Sequence, residues 1–127
     1  MNKKTVLLIN LGTPDNPTTG AVKKYLTEFL NDPRVIDIPW LFRKMLVNLI
    51  IVPFRAPKSA KIYKQLWTKE GSPLVIHGKN LRDKLQVELG SDYQVEIAMR
   101  YQNPHLKNVL EKIRKSVPKE IIVLPLY

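Results

Sequence analysis

The run "TVLLINL", residues 5–11, narrows the choice of fold more than any other stretch. It is apolar at almost every position and is ended by Gly12. A strand with one wet face alternates polar and apolar side chains. A run without alternation reads as a strand buried on both faces, as in a parallel sheet. Two more β-rich runs follow: "YQVEIAM" at 93–99, which alternates, and "EIIVLPL" at 120–126, which reads as another buried strand. Parallel strands need long crossovers, and the segments between these runs carry helical periodicity.

"TGAVKKYLTEFLNDP" places Val22, Tyr25, Leu26, Phe29 and Leu30 at helical spacing and should stop near Asn31, before Pro33. "VIDIP" reads as a short extended piece. "WLFRKMLVNLII" reads as a helix with Leu41, Met45, Leu46 and Leu49 on one face, and Phe42, Val47, Ile50 and Ile51 make the remaining surface apolar too. "KSAKIYKQLW" reads as a separate helix with Ala60, Tyr63 and Trp67 aligned. In "GSPLVIHGKNLRDKLQVELG", Ser72 fits an N-cap, Pro73 the first helical position and Gly90 the C-terminal stop. "NPHLKNVLEKIRK" offers Asn103 as cap, with Leu106, Val109, Leu110 and Ile113 as apolar face. Strand, helices, strand, helix, strand is the pattern of a single α/β domain with a parallel sheet. Residue 127 falls just past the C-terminal end of the third strand, where functional loops follow in open α/β sheets, so the domain reads as cut.

The composition limits the partners. With 21 Lys and Arg against 11 Asp and Glu, the formal net charge is +10, which favours nucleic acid, an anionic membrane surface or an anionic small molecule. Cysteine is absent, so a disulfide framework and a thiolate metal site are excluded. The first residues, "MNKKTVLLINLGTPD", read as a first strand rather than a signal peptide. Residues 40–54 are interrupted by Arg43, Lys44 and Asn48 and do not read as a membrane span. "NLGTPD" is no dinucleotide fingerprint, and Pro14 and Pro17 would disturb a phosphate loop. Of the two histidines, His77 reads as a core-edge residue and His105 as an exposed one in a first helical turn. No acid stands beside either at metal-ligand spacing.

One stretch asks for a function. In "LIIVPFRAPKSAKIYKQLW" an apolar run stops at Arg55, and Arg55, Lys58, Lys61 and Lys64 follow with no acidic residue between Asp37 and Glu70. A charge run is usually a solvated helix face. Here the neighbouring segment is apolar nearly all round, as a lipid- or partner-facing helix would be. Arg55 stands between Pro53 and Pro57, which suits a positioned carboxylate-binding guanidinium.

Five stretches in order, "LLINLGTPD", "YLTEFLNDPRVIDIP", "FRAPKSAKIYKQLWTKEGSPL", "AMRYQNP" and "VLPLY", resemble the ferrochelatases. The resemblance implies a Rossmann-like, chelatase-type three-layer sandwich, of which residues 1–127 are the N-terminal segment of the first domain. It implies insertion of Fe2+, as substrate, into protoporphyrin IX, with no cofactor in this stretch. It matches Arg55 to an arginine on a porphyrin propionate, Tyr63 to a tyrosine near the same substrate, and Ser72 to a serine at that site. Leu11 matches a residue facing the metal side of the ring, where leucine favours the protoporphyrin type. Tyr101 is expected at a strand end facing the cleft. The family's catalytic histidine and its acidic partner are expected beyond residue 127, so neither His77 nor His105 takes that role. The implied partners are protoporphyrin, the remainder of the same protein and, through Trp40 to Phe54, the membrane surface. The implied location is cytoplasmic, peripheral to the inner membrane. Two alternatives stand beside it. A basic nucleic-acid-binding module is allowed by charge but lacks stacking aromatics interleaved with the cations. A chelatase for another metal and tetrapyrrole would share the fold more than these motifs.

Overall fold

The computed structural model describes residues 2–127. The chain divides into two compact units, one built from the residues up to Thr13 together with those from Leu74 on, the other from Pro14–Pro73.

The first unit is an α/β/α sandwich. Strands β1 (Lys4–Gly12), β2 (Tyr93–Tyr101) and β3 (Glu120–Pro125) form a parallel sheet in the order β2-β1-β3. β1 lies in the middle, as its unalternating apolar run predicts. Val6 and Leu8 point to one face, where Val95 and Ile97 join them beneath Leu85 and Leu89 of helix α4 (Pro73–Leu89). Leu7 and Ile9 point to the other, with Ala98, against Val109, Ile113 and Leu106 of helix α5 (Leu106–Lys115). Helix α4 comes close enough for a Cβ on Gly78 to collide with the Ile97 side chain. Glu96, buried in β2, accepts from Gln94 at 2.7 Å and pairs with Lys112 of α5 at 3.1 Å.

Gln86 of α4 ties that helix to β2. Its Nε2 donates to the Tyr93 carbonyl at 2.8 Å and the Gly90 carbonyl at 3.2 Å, and its Oε1 accepts from the Val95 N–H at 2.9 Å. At the other end of β2, Gly12 pairs with Tyr101 and has φ +137°, and a Cβ there would run into the Tyr101 carbonyl oxygen.

The second unit is helical. Helix α1 (Thr19–Leu30) is capped by the Thr18 hydroxyl, which accepts from the Ala21 N–H, and it ends at Asn31 as predicted. Helix α2 (Trp40–Met45), a π-helical turn (Leu46–Ile51) and helix α3 (Val52–Leu66) run on as one rod. Val22, Tyr25, Leu26 and Leu30 of α1 are buried, as are Val47 of the turn and Val52, Ala56 and Ala60 of α3. The two alanines, one turn apart, let α1 and α3 approach closely.

Several expectations are corrected. Residues 35–39 are not a regular extended piece: Val35 and Ile36 close a turn through N–H bonds to the Asp32 carbonyl, and the chain bends at Ile36 and again at Ile38. The helices expected as two are continuous. Pro53 follows the π-helical turn directly and Pro57 lies one turn on, so both are carried inside the continuous rod, each at the cost of one backbone bond. β3 is an edge strand with every residue exposed, because α4 and α5 cover β1 and β2. The face of α4 that meets the sheet runs through Gly78, Leu85 and Leu89, so His77 is exposed rather than at the core edge. His105, not Asn103, caps α5. Its Nδ1 accepts from the Lys107 N–H at 3.3 Å, and its side chain is half-buried.

Replacing Gln86 by Leu keeps the bulk but takes this partner from the Val95 N–H and the Tyr93 carbonyl. Urea unfolding should show a loss of about 1 kcal/mol, the net worth of partly exposed hydrogen bonds.

Candidate functional site

The site residues named from the sequence fall into two groups, one in each unit. Leu11 and Tyr101 stand at the C-terminal ends of β1 and β2, the end at which open α/β sheets bind ligands. Leu11 is half-buried, and its N–H donates to Asn10 Oδ1 at 2.8 Å. Tyr101 is 5% exposed, with the Arg100 guanidinium 5.4 Å from its ring centroid. After it, Gln102 is buried and takes a left-handed conformation, φ 61°.

Arg55 and Tyr63 lie on α3, with Ser72 beyond its end. Arg55 is exposed, Tyr63 is half-buried, and Ser72 is buried immediately before α4. The backbone of Arg55 is fixed by the helix as well as by the prolines on either side. Eight residues separate Arg55 from Tyr63, so both fall toward one side of α3. Burial raises the Tyr63 phenol above its ordinary value, and the Arg55 cation pulls it partly back.

The apolar surface beside Arg55 is extensive. Trp40, Leu41, Phe42, Met45, Leu49, Ile50 and Phe54 are all at least half exposed, and Phe54 reaches 74%. Lys44 Nζ sits 5.1 Å from the Trp40 ring centroid. The sequence periodicity put Leu41, Met45, Leu46 and Leu49 on one face, and all four are exposed. The buried residues of this segment are Arg43 and Val47. The Arg43 stem fills the space an aliphatic residue would, its Nη1 donates to the Ile38 carbonyl at 3.1 Å, and its Nε is buried without a partner. Sequence reasoning passes over Arg43, because nothing local marks which of three adjacent cations and aromatics turns inside. It also passes over Gln102, whose only signal is the Asn-Pro turn that follows.

Among the described residues no group of His, Asp or Glu is arranged to hold a metal ion, and no helix is long and apolar enough to cross a membrane. The arrangement offers a cation and a phenol on one helix beside an exposed apolar surface, and it presents no general base to a ligand there.

The Tyr63 shift has a testable sign. A phenol that binds its proton more tightly when folded stabilises the fold fully below the unfolded value near 10.0. That contribution is lost as pH rises through the folded value. Phenolate absorbance compared with Tyr63→Phe should place the Tyr63 ionisation above the ordinary tyrosine range, and the variant should lose less stability above pH 10.0.

A ferrochelatase family model matches residues 3–127. The ferrochelatase of Coxiella burnetii (strain Dugway 5J108-111) is 48% identical over 126 residues, which is 99% of this chain and 36% of that protein. The ferrochelatases of Alcanivorax borkumensis and Legionella pneumophila (strain Paris) are each 46% identical, over 98% of this chain and 38% and 37% of theirs. The chain therefore spans little more than a third of the length of these relatives. A match across nearly every residue, on a sheet and helices laid out as the motifs require, means that the chain belongs to the ferrochelatase family.

Proposed function

We propose that residues 1–127 are the N-terminal segment of the first domain of a ferrochelatase, which inserts Fe2+ into protoporphyrin IX, and that they supply part of the porphyrin-binding cleft. The observation that carries this is the surface of α3 and the turn before it, where Arg55 follows the exposed Ile50 and Phe54 and Tyr63 lies further along the same helix. Protoporphyrin is a flat apolar ring with two carboxylates on one edge. Apolar side chains suit the ring, and a guanidinium suits a propionate, which it can grip with two parallel N–H bonds.

In this reading Arg55 takes a propionate and Tyr63 the ring edge beside it. Ser72 lies near the same substrate, while Tyr101 and Leu11 line the cleft, with Leu11 on the metal side. The apolar leucine there favours protoporphyrin. Insertion requires that the macrocycle be bent and that its pyrrole protons leave. Binding energy from groups such as Arg55 can be used for the bending. The base for the protons is assigned to the remainder of the protein, since His77 lies on the outer face of α4 and His105 is held as a helix cap. The family match gives no support to a nucleic-acid module or to another metallochelatase.

Titration with protoporphyrin IX, followed by porphyrin fluorescence, tests the assignment. Arg55→Ala should weaken saturable binding about five- to tenfold, as expected for a partly solvated charge-assisted contact, while the surface control Lys115→Ala should not. Equal, unchanged binding in both variants would mean that the apolar surface merely adsorbs porphyrin.

The same apolar surface and the exposed Arg55, Lys58, Lys61 and Lys64 support a cytoplasmic protein resting on the inner membrane. Trp40 emission should shift to the blue with vesicles of mixed phosphatidylcholine and phosphatidylserine, and much less with phosphatidylcholine alone. Lys58→Glu should weaken that binding at least about fivefold. Insensitivity to lipid charge would remove the electrostatic part of this reading.

A further inference from the structure

Trp67 closes α3 and has no role in the reading above. Its ring meets Tyr63 edge to face, with centroids 6.4 Å apart and planes at 78°. Its backbone N–H donates to the Tyr63 carbonyl at 2.8 Å, while its own backbone has already left the helix, at φ −68° and ψ 135°. The chain then doubles back at once. Thr68 N–H donates to the Gly71 carbonyl at 3.0 Å, Gly71 N–H donates to the Thr68 carbonyl at 3.1 Å, and the Thr68 hydroxyl adds a bond to Gly71 at 2.9 Å. Gly71 takes φ +117°, which side-chain-bearing residues rarely adopt. Trp67 is therefore held by the helix on one side and by a bridged turn on the other.

The helical neighbours that face Tyr63 are Ser59 and Ala60 before it and Leu66 and Trp67 after it. The first two are small and Leu66 is exposed, so Trp67 is the large, half-buried one. A phenol without a large neighbour samples several rotamers, and a ligand that uses one of them must overcome that freedom. An edge-to-face partner on a fixed backbone removes it beforehand.

We infer that Trp67, locked by the Thr68–Gly71 bridge, is a positioning residue that holds the Tyr63 phenol in the orientation from which it meets a carboxylate-bearing tetrapyrrole. The inference rests on the proposed role of Tyr63 and deepens it. Trp67 acts through Tyr63, so its effect and that of Tyr63 are not independent.

The test uses the 127-residue chain and the variants Trp67→Leu, Trp67→Phe, Tyr63→Phe and the double variant Tyr63→Phe/Trp67→Leu. Two quantities are read: the affinity for protoporphyrin IX and the alkaline ionisation of Tyr63. Trp67→Leu should weaken binding about three- to tenfold, and the double variant should be no weaker than Tyr63→Phe alone, since the two changes remove one contact. Tyr63 should ionise at lower pH in Trp67→Leu, and Trp67→Phe should restore both readouts. An unmoved Tyr63 ionisation in Trp67→Leu overturns the inference. So does a double variant whose losses add, because Trp67 would then touch the ligand directly. If Tyr63→Phe leaves affinity unchanged, the proposed role of Tyr63 fails. In that case, and in the absence of saturable binding, the ionisation readout still decides whether Trp67 holds the ring.

Discussion

Burial of the centre of β1, Thr5 to Leu8, between two helical layers is the constraint on which the sandwich rests. A strand inside a sheet has no water to satisfy its backbone, so its N–H and C=O groups must pair on both sides. β2 and β3 do this in parallel register. The apolar side chains of β1 then demand cover on both faces. α4 meets Val6 and Leu8, and α5 meets Leu7 and Ile9. The crossovers β1 to β2 and β2 to β3 lie on opposite faces because the strand order places β1 between the other two. Gly12 then lets the end of β1 run against Tyr101 without a side chain in the way. A short apolar run near the start of the chain thus dictates where the loops of the C-terminal sheet edge emerge.

The helical unit follows a different logic. Its interior is made of small and β-branched residues, Val47, Val52, Ala56 and Ala60, against the larger Tyr25, Leu26 and Leu30 of α1. The large apolar side chains of α2 and the π-helical turn are left outside. Ordinary folding would bury such residues and expose Arg43. A wide turn changes the angular spacing of side chains along the rod and rotates those before it relative to those after it. The result is an apolar surface with a row of cations beginning where it ends. The protein keeps this uncovered surface at the expense of burying a guanidinium that finds one carbonyl partner.

Legibility followed the range of the interaction responsible. Short-range signals were reliable. The unalternating residues 5–11, the stop of α1 at Asn31 and the Pro73 start and Gly90 end of α4 could all be read directly. The family motifs carried the assignment, but that Arg55 shares a helix with Tyr63 was not read, since the helix was expected to begin only after Pro57. Long-range decisions were not legible. "EIIVLPL" looks as buried as "TVLLINL", and only the pairing order makes one an edge and the other the centre. His77 shares a helical stripe with Leu74 and Leu81, but close packing at Gly78 turned a different stripe toward the sheet. The cap of α5 passed from Asn103 to His105 because the segment 102–104 is used for a tight return from β2, with Met99 N–H bonded to the Pro104 carbonyl at 2.7 Å. The segment with Pro53 and Pro57 was left out of both expected helices, whereas the structure carries it in α3, which packs against α1.

The side chain of Gln86 has an effect beyond its three hydrogen bonds. A primary amide holds a donor and an acceptor in one plane, as a peptide group does, and Gln86 presents both to the outer margin of β2. It imitates one residue of a neighbouring strand and occupies the groups that strand would need. β3, on the opposite margin, shows Ile121, Ile122, Val123 and Leu124 to solvent. The two margins of the sheet therefore differ: the start of β2 already has its outward carbonyl and N–H answered by a side chain that mimics a strand, while β3 lies in the open.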